Sequence, residues 1–215
     1  MSVTSKEIAM KIVTISDTHG MHRSLNMPDG DVLIHAGDFS THGTLDNAVE
    51  FNQWLGTLDY KHKLIIAGNH ELCFEKNPEE AEKVITNATY LKDSIIVIDD
   101  IKFYGSPWQP RFYNWAFNLD RGGEIKEKWD LIDNDVDVLI THGPPYGHLD
   151  MTMGNEHVGC EELLKAIHRV KPKLHVFGHI HCGYGMDKVG STRLINACSC
   201  TERYEPSNQP FVVEI

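Results

Sequence analysis

The chain has 215 residues and 41% hydrophobic content, which suits one large domain with a sizeable core. Its 20 Lys and Arg against 31 Asp and Glu leave a net charge of −11, arguing against an extended nucleic-acid-binding face. No apolar run is long enough to span a membrane, and the opening "MSVTSKEIAMKIVTI" lacks a charged-then-apolar leader, so the expectation is a cytoplasmic protein without a membrane segment.

Nine short runs rich in β-branched residues read as buried strands: 11–15, 31–36, 63–67, 94–98, 101–105, 137–141, 173–177, 192–197 and 210–215. Asp99-Asp100 between two of them reads as a tight hairpin. Helical patterns fall between the strands. Phe51, Trp54, Leu55 and Leu58 make one stripe within 46–58. Asn77 and Pro78 read as the cap and first residue of a second helix, with Ala81, Val84, Ile85 and Ala88 inward. Segments 122–133 and 159–170 look similar, the latter through Leu163, Leu164 and Ile167. Strands alternating with helices predict an α/β fold, and without a linker or repeat the whole span 1–215 is expected to be a single domain. The five cysteines contain no CxxC pair and read as buried free thiols.

Five of the strands end in the most informative residues of the chain. "KIVTI" runs into Asp17 and His19, "DVLIHA" into Asp38, and "KLIIA" into Asn69 and His70. "DVLIT" runs into His142, and "KLHVF" into His179 and His181. In an α/β sheet the carboxyl ends of the strands form the ligand-binding edge. Five such endings together predict one site. Asp17, His19, Asp38, Asn69, His142, His179 and His181 are too many ligands for one catalytic zinc and suit two metals sharing a carboxylate. Mixed imidazole and oxygen donors favour Mn, Fe, Co, Ni or Zn over Ca or Mg. Paired metals of this kind serve phosphoester hydrolysis.

The ordered set D-x-H, G-D, G-N-H, H-G and G-H-x-H resembles the calcineurin-like metallophosphoesterase superfamily. "VLIHAGDFS", "GNHE", "GSPWQP", "FNLDRG" and "THGPP" further resemble its branch of metallophosphoesterase-domain-containing proteins. The resemblance implies two packed mixed β-sheets flanked by helices. It implies one metal on Asp17, His19 and His181, another on Asn69, His142 and His179, and Asp38 bridging both. It implies attack by a metal-bridging hydroxide, with His70 acting on the leaving group as the catalytic residue. Small phosphodiesters, cyclic nucleotides included, are the implied substrates. A phosphomonoesterase using the same site, and a binding or scaffold protein retaining the fold, are the alternatives; self-association is left open.

In protein phosphatases of this superfamily the Gly-Asp motif continues to an Asp-Arg pair, whereas here Thr41 and His42 stand in those places. His42 is therefore the candidate substrate contact, in place of a bidentate arginine. Glu71 is expected either to orient His70 or to be a solvated residue at a helix start. His35 reads as a hydrogen-bonded core histidine, and His22 as a loop histidine rather than one approaching substrate. The 144–159 loop, with His148 and His157, could form a lid. The aromatic stretch 108–115 could be core, interface or a stacking wall.

Overall fold

The computed structural model describes residues 9–215. The first half holds β1 (Lys11–Ile15), β2 (Val32–Ala36), α1 (Leu45–Leu55), β3 (His62–Ile66), α2 (Leu72–Lys76), α3 (Pro78–Val84) and β4 (Thr89–Tyr90). It continues through β5 (Ser94–Ile98), β6 (Ile101–Ser106), β7 (Gln109–Pro110), β8 (Asn118–Leu119), α4 (Gly123–Trp129), β9 (Val138–Thr141) and α5 (Glu161–Val170). The last strands are β10 (Leu174–Phe177), β11 (Gly185–Val189), β12 (Thr192–Asn196) and β13 (Phe211–Glu214).

Two mixed sheets result, in the orders β13-β1-β2-β3-β4 and β11-β12-β10-β9-β6-β5. Both are parallel at their centres. β1, β2 and β3 run together in one, and β6, β9, β10 and β12 in the other. Their interior residues explain the unbroken apolar runs, because each strand is covered on both faces. Ile12, Ile34 and Ile66 turn toward Ile140, Val176 and Ile195 of the opposite sheet. Their neighbours Val13, Leu33 and Ile65 turn outward onto Phe51, Trp54 and Phe74. On the far side Leu139, Phe177 and Leu194 meet Trp129, Leu163 and Ile167. The layers are helix, sheet, sheet, helix.

The nine expected strands are all present, with ends displaced by no more than about one residue, the ordinary uncertainty of such boundaries. Asp99 and Asp100 both adopt positive φ, 46° and 64°, in a two-residue hairpin turn joining β5 to β6. The first helix stops at Leu55 rather than residue 58. Asn77 precedes Pro78 as expected but makes no side-chain capping bond. Periodicity does not reveal β11, whose "GMDKV" is a largely exposed edge without alternation, or α2, which is only 5 residues long. Cys160, Cys198 and Cys200 are buried and free, but Cys73 is half-buried and Cys182 is exposed, correcting the expectation for those two.

His35 is the core histidine anticipated, and it has an unanticipated counterpart. His35 Nε2 lies 3.0 Å from Thr18 Oγ1, and His175 Nε2 lies 2.8 Å from Thr141 Oγ1. Each ring supports a loop that carries metal-ligand candidates, and each Nδ1 is buried without a partner. Burial lowers both imidazoles from 6.5 to about 3. Between those values the unfolded chain binds more protons than the folded one, so stability falls as pH falls. The limiting slope is about 1.4 kcal/mol per pH unit for each histidine. Denaturant unfolding from pH 7 to 4, at fixed metal content, should give a shallower pH slope for His175→Gln than for wild type. Equal slopes would show that the ring does not stay neutral on folding.

Candidate metal centre

Because the central strands are parallel within each sheet, their carboxyl ends collect at one edge. β1 presents Asp17 and His19, β2 presents Asp38, and β3 presents Asn69 and His70. From the other sheet β9 presents His142, and β10 presents His179 and His181. A bridge between Ser16 and Cys198 joins the two sheets at this edge. All seven metal-ligand candidates and His70 are thereby brought together.

Close approach sets the local backbone. Asp17, His19, Asp38 and His179 all have positive φ, between 44° and 69°, a region uncommon outside glycine. Gly68 lies against Asp38 and His142, where a Cβ would sit 2.6 Å from the His142 ring carbon Cε1. Gly178 lies equally close to Ser16 and Asp17.

The donor geometry supports two adjoining positions. His19 Nε2 is 3.2 Å from His181 Nε2, and Asp17 Oδ1 is 3.5 Å from His181 Nε2 and 4.0 Å from His19 Nε2. On the other side His142 Nε2 is 2.9 Å from Asn69 Oδ1 and 3.3 Å from Asp38 Oδ2. Asp38 groups with His142 and His179, and also with His19 and His70. It is the carboxylate common to those two donor groups.

The hydrogen bonds orient these rings as metal ligands require. Nδ1 of His19, His142 and His181 bonds to the carbonyls of Ser40, Ala36 and Thr201. A carbonyl can only accept, so Nδ1 carries the proton and Nε2 of the neutral ring is a bare acceptor. With both rings neutral, His19 and His181 would point lone pair at lone pair across 3.2 Å. Such an arrangement calls for a cation or added protons between the rings. Divalent metal ions fit this donor set.

The charge distribution agrees. Burial opposes the imidazolium of His142, but Asp38 beside it prevails and raises it to about 9. His181 is likewise raised to about 9, against burial, chiefly by Asp17. Burial resists ionisation of Asp38 too, yet His142 holds its carboxyl well below the usual range. Asp17 and Asp38 thus favour positive charge on the rings beside them.

Several residues differ from expectation. Glu71 neither orients His70 nor reaches solvent. It is fully buried and accepts bonds from Asp38 N (2.8 Å), Gly68 N (2.7 Å), Ser40 N (3.0 Å) and Ser40 Oγ (2.8 Å). Burial and the neighbouring Asp38 charge push its carboxyl up to about 8. One side chain thus fastens the loop after β2 to the loop after β3. Glu71→Ala would strand three buried N–H groups, each costing about 1–3 kcal/mol. A stability loss of at least about 3 kcal/mol in urea unfolding, with weaker metal binding, is expected; a loss under about 1 kcal/mol would contradict it.

His42 is exposed and is not among the cavity-lining residues, so the contact expected of it is not assembled here. His22 is buried, 2.9 Å from Glu50 and against Trp54, and belongs to the α1 packing. His148 pairs with Asp187 and His157 with Asp150, neither lining the cavity. Fully buried Asp150 also accepts from Gly147 N and Gly159 N, giving the 144–159 loop an internal anchor. Sequence reasoning missed Cys198, whose thiol lies 3.1 Å from Asp17 Oδ2. Its position just after β12 was the available signal, a further strand ending at the same edge.

Above the donors lies a cavity of about 520 Å³. His19, Asp38, Asn69, His70, His179 and His181 lie at its floor, and Phe112, Met153, Val158 and Tyr204 are among its walls.

Fold and donor set together define a candidate metal centre. The chain belongs to the calcineurin-like phosphoesterase family, whose profile matches residues 10–183. It is 46% identical to metallophosphoesterase domain-containing protein 1 of Homo sapiens, over 95% of this chain and 71% of that one. It is 41% identical to UPF0046 protein T07D4.2 of Caenorhabditis elegans, over 96% of this chain and 60% of that one. Among solved structures, TT1561 of Thermus thermophilus shares the fold at TM-score 0.64 and 15% identity, covering 87% of this chain and 88% of that one. The two packed mixed sheets are the fold that the motifs implied. Among the described residues no helix is long and apolar enough to cross a membrane.

Proposed function

We propose that this protein is a dinuclear metal-dependent phosphodiesterase acting on small phosphodiesters, cyclic nucleotides among them. The observation that carries this reading is Asp38, common to a donor group with His142 and His179 and to another with His19 and His70. Asp17, His19 and His181 would hold one ion, and Asn69, His142 and His179 the other. Mn, Fe, Co, Ni or Zn suit these donors. Bound there, divalent ions supply Lewis acidity and make a water acidic enough to attack phosphorus.

The protein's own groups supply the rest. His70 donates through Nδ1 to Thr41 O at 2.7 Å, and its Nε2 faces the cavity, 3.9 Å from Asp38 Oδ2. That nitrogen is free to carry a proton to the departing oxygen. Phe112, Met153, Val158 and Tyr204 in the walls support a diester, whose second organic substituent they would contact.

Charge favours the same choice. Of the cavity-lining guanidiniums, Arg121 is engaged with Glu161 and the carbonyls of Val158 and Gly159, and Arg111 is paired with Asp120 through Nε. No further Lys or Arg lines the cavity among the described residues to reward the additional charge of a monoester dianion. Chelation should abolish turnover, and one or more of the named transition metals should restore it. With metal loaded, bis-nitrophenyl phosphate should exceed mono-nitrophenyl phosphate in kcat/KM. Preference for the monoester would favour a phosphomonoesterase instead, and full turnover by metal-free protein would refute the dinuclear reading.

A further inference from the structure

Two exposed aromatic side chains stand against different donors of the cluster. Phe112, 45% exposed, packs edge-on to His179 with ring centroids 5.6 Å apart. Tyr204, 47% exposed, packs edge-on to both His19 and His181, at 4.8 and 5.4 Å. Both line the cavity. Solvent-exposed aromatic rings bordering polar donors are costly to leave in water, and they suit a ligand with an apolar face.

Neither turn is loosely built. The turn carrying Phe112 is built around Asn118, whose Oδ1 accepts from Phe112 N at 3.0 Å. Asn118 Nδ2 donates to the carbonyls of Phe112, Tyr113 and Trp115. Tyr204 has φ of 59°, a conformation disfavoured for a bulky residue. Tyr204 N donates to Thr201 O at 2.8 Å, and Thr201 N donates to Glu205 O at 2.9 Å. Thr201 O is also the acceptor that orients His181. The turn that fixes a metal-ligand candidate therefore also presents the tyrosine ring. Tyr204 lies beyond residue 183, where the family match ends.

We propose that Phe112 and Tyr204 form an aromatic subsite, selecting phosphoesters whose non-leaving substituent is a planar unsaturated ring. This rests on the reading of the donor cluster as a phosphoryl site. With phosphorus over the donors, a substituent on it extends into a cavity bordered by both rings. A flat π-face gains contact with them that a puckered ring of similar size cannot.

Calorimetric titration of the metal-loaded protein with phenylphosphonate and cyclohexylphosphonate separates the possibilities without requiring turnover. Wild type should bind the phenyl compound about three- to tenfold more tightly, the scale of one or two aromatic contacts. Tyr204→Leu, which retains the backbone cost at this position, and Phe112→Leu should each reduce that ratio. Tyr204→Phe should preserve it. Equal binding of both phosphonates by wild type, or a ratio unmoved in both leucine variants, would overturn the aromatic subsite and leave the phosphoesterase reading standing. Binding of neither compound would overturn the phosphoryl site itself. With nitrophenyl diesters bearing phenyl or cyclohexyl as the second group, the kcat/KM ratio should follow the binding ratio.

Discussion

Asp38→Asn is expected to weaken metal binding on both sides of the cluster and to remove most of the turnover. Its carboxylate lies 3.3 Å from His142 Nε2 and 3.9 Å from His70 Nε2, and it is almost wholly buried. Asparagine keeps the shape, tolerates the positive φ of 56° at this position, and can still accept the bond from His70 N. What it removes is the charge. Breaking one member of a buried charged set costs about 3–5 kcal/mol, or roughly 10²–10⁴-fold in affinity. Metal content after dialysis, read with calorimetric titration, should show both sites affected. Loss confined to one ion, with the other at wild-type affinity, would mean that Asp38 is not the bridge.

His70→Ala should retain both metals and lose turnover by about 10²–10⁴-fold, the usual range for a general acid. Geometry alone leaves this residue two roles, since its Nε2 groups with Asp38 and His19 as a possible ligand. Metal counting separates them, because a ligand variant would arrive short of one ion. The leaving group gives the second readout. Nitrophenolate departs without a proton, so the deficit should shrink for nitrophenyl esters and be largest for alkyl esters. An equal deficit for both would assign His70 to positioning or charge stabilisation rather than proton transfer. Trp115, tilted against the His70 ring at a centroid distance of 4.3 Å, keeps the imidazole in place for either role.

The donors were legible because each follows a recognisable apolar strand, and an α/β sheet directs such positions to one edge. Glu71 was not legible. A carboxylate after an Asn-His pair looks like surface in one dimension, and only the meeting of the β2 and β3 loops buries it beneath three backbone N–H groups. His42 differs in the opposite sense. Its place in "GDFSTHG" suggested a phosphate contact, but the chain after Ser40 carries it to solvent, away from the cavity. Cys198 and Tyr204 come to the site from the last part of the chain, at separations of more than 180 residues from Asp17.

The α/β class, the nine principal strands and the set of metal-binding candidates were all readable along the chain. Local periodicity and the residues at strand ends are properties of contiguous sequence. Which lone pairs face one another and which aromatic rings border the cavity emerged only with the folded arrangement. Those depend on two sheets packing face to face so that their strand ends share one edge, and on glycines at 68 and 178 that let separate loops approach closer than a Cβ would allow.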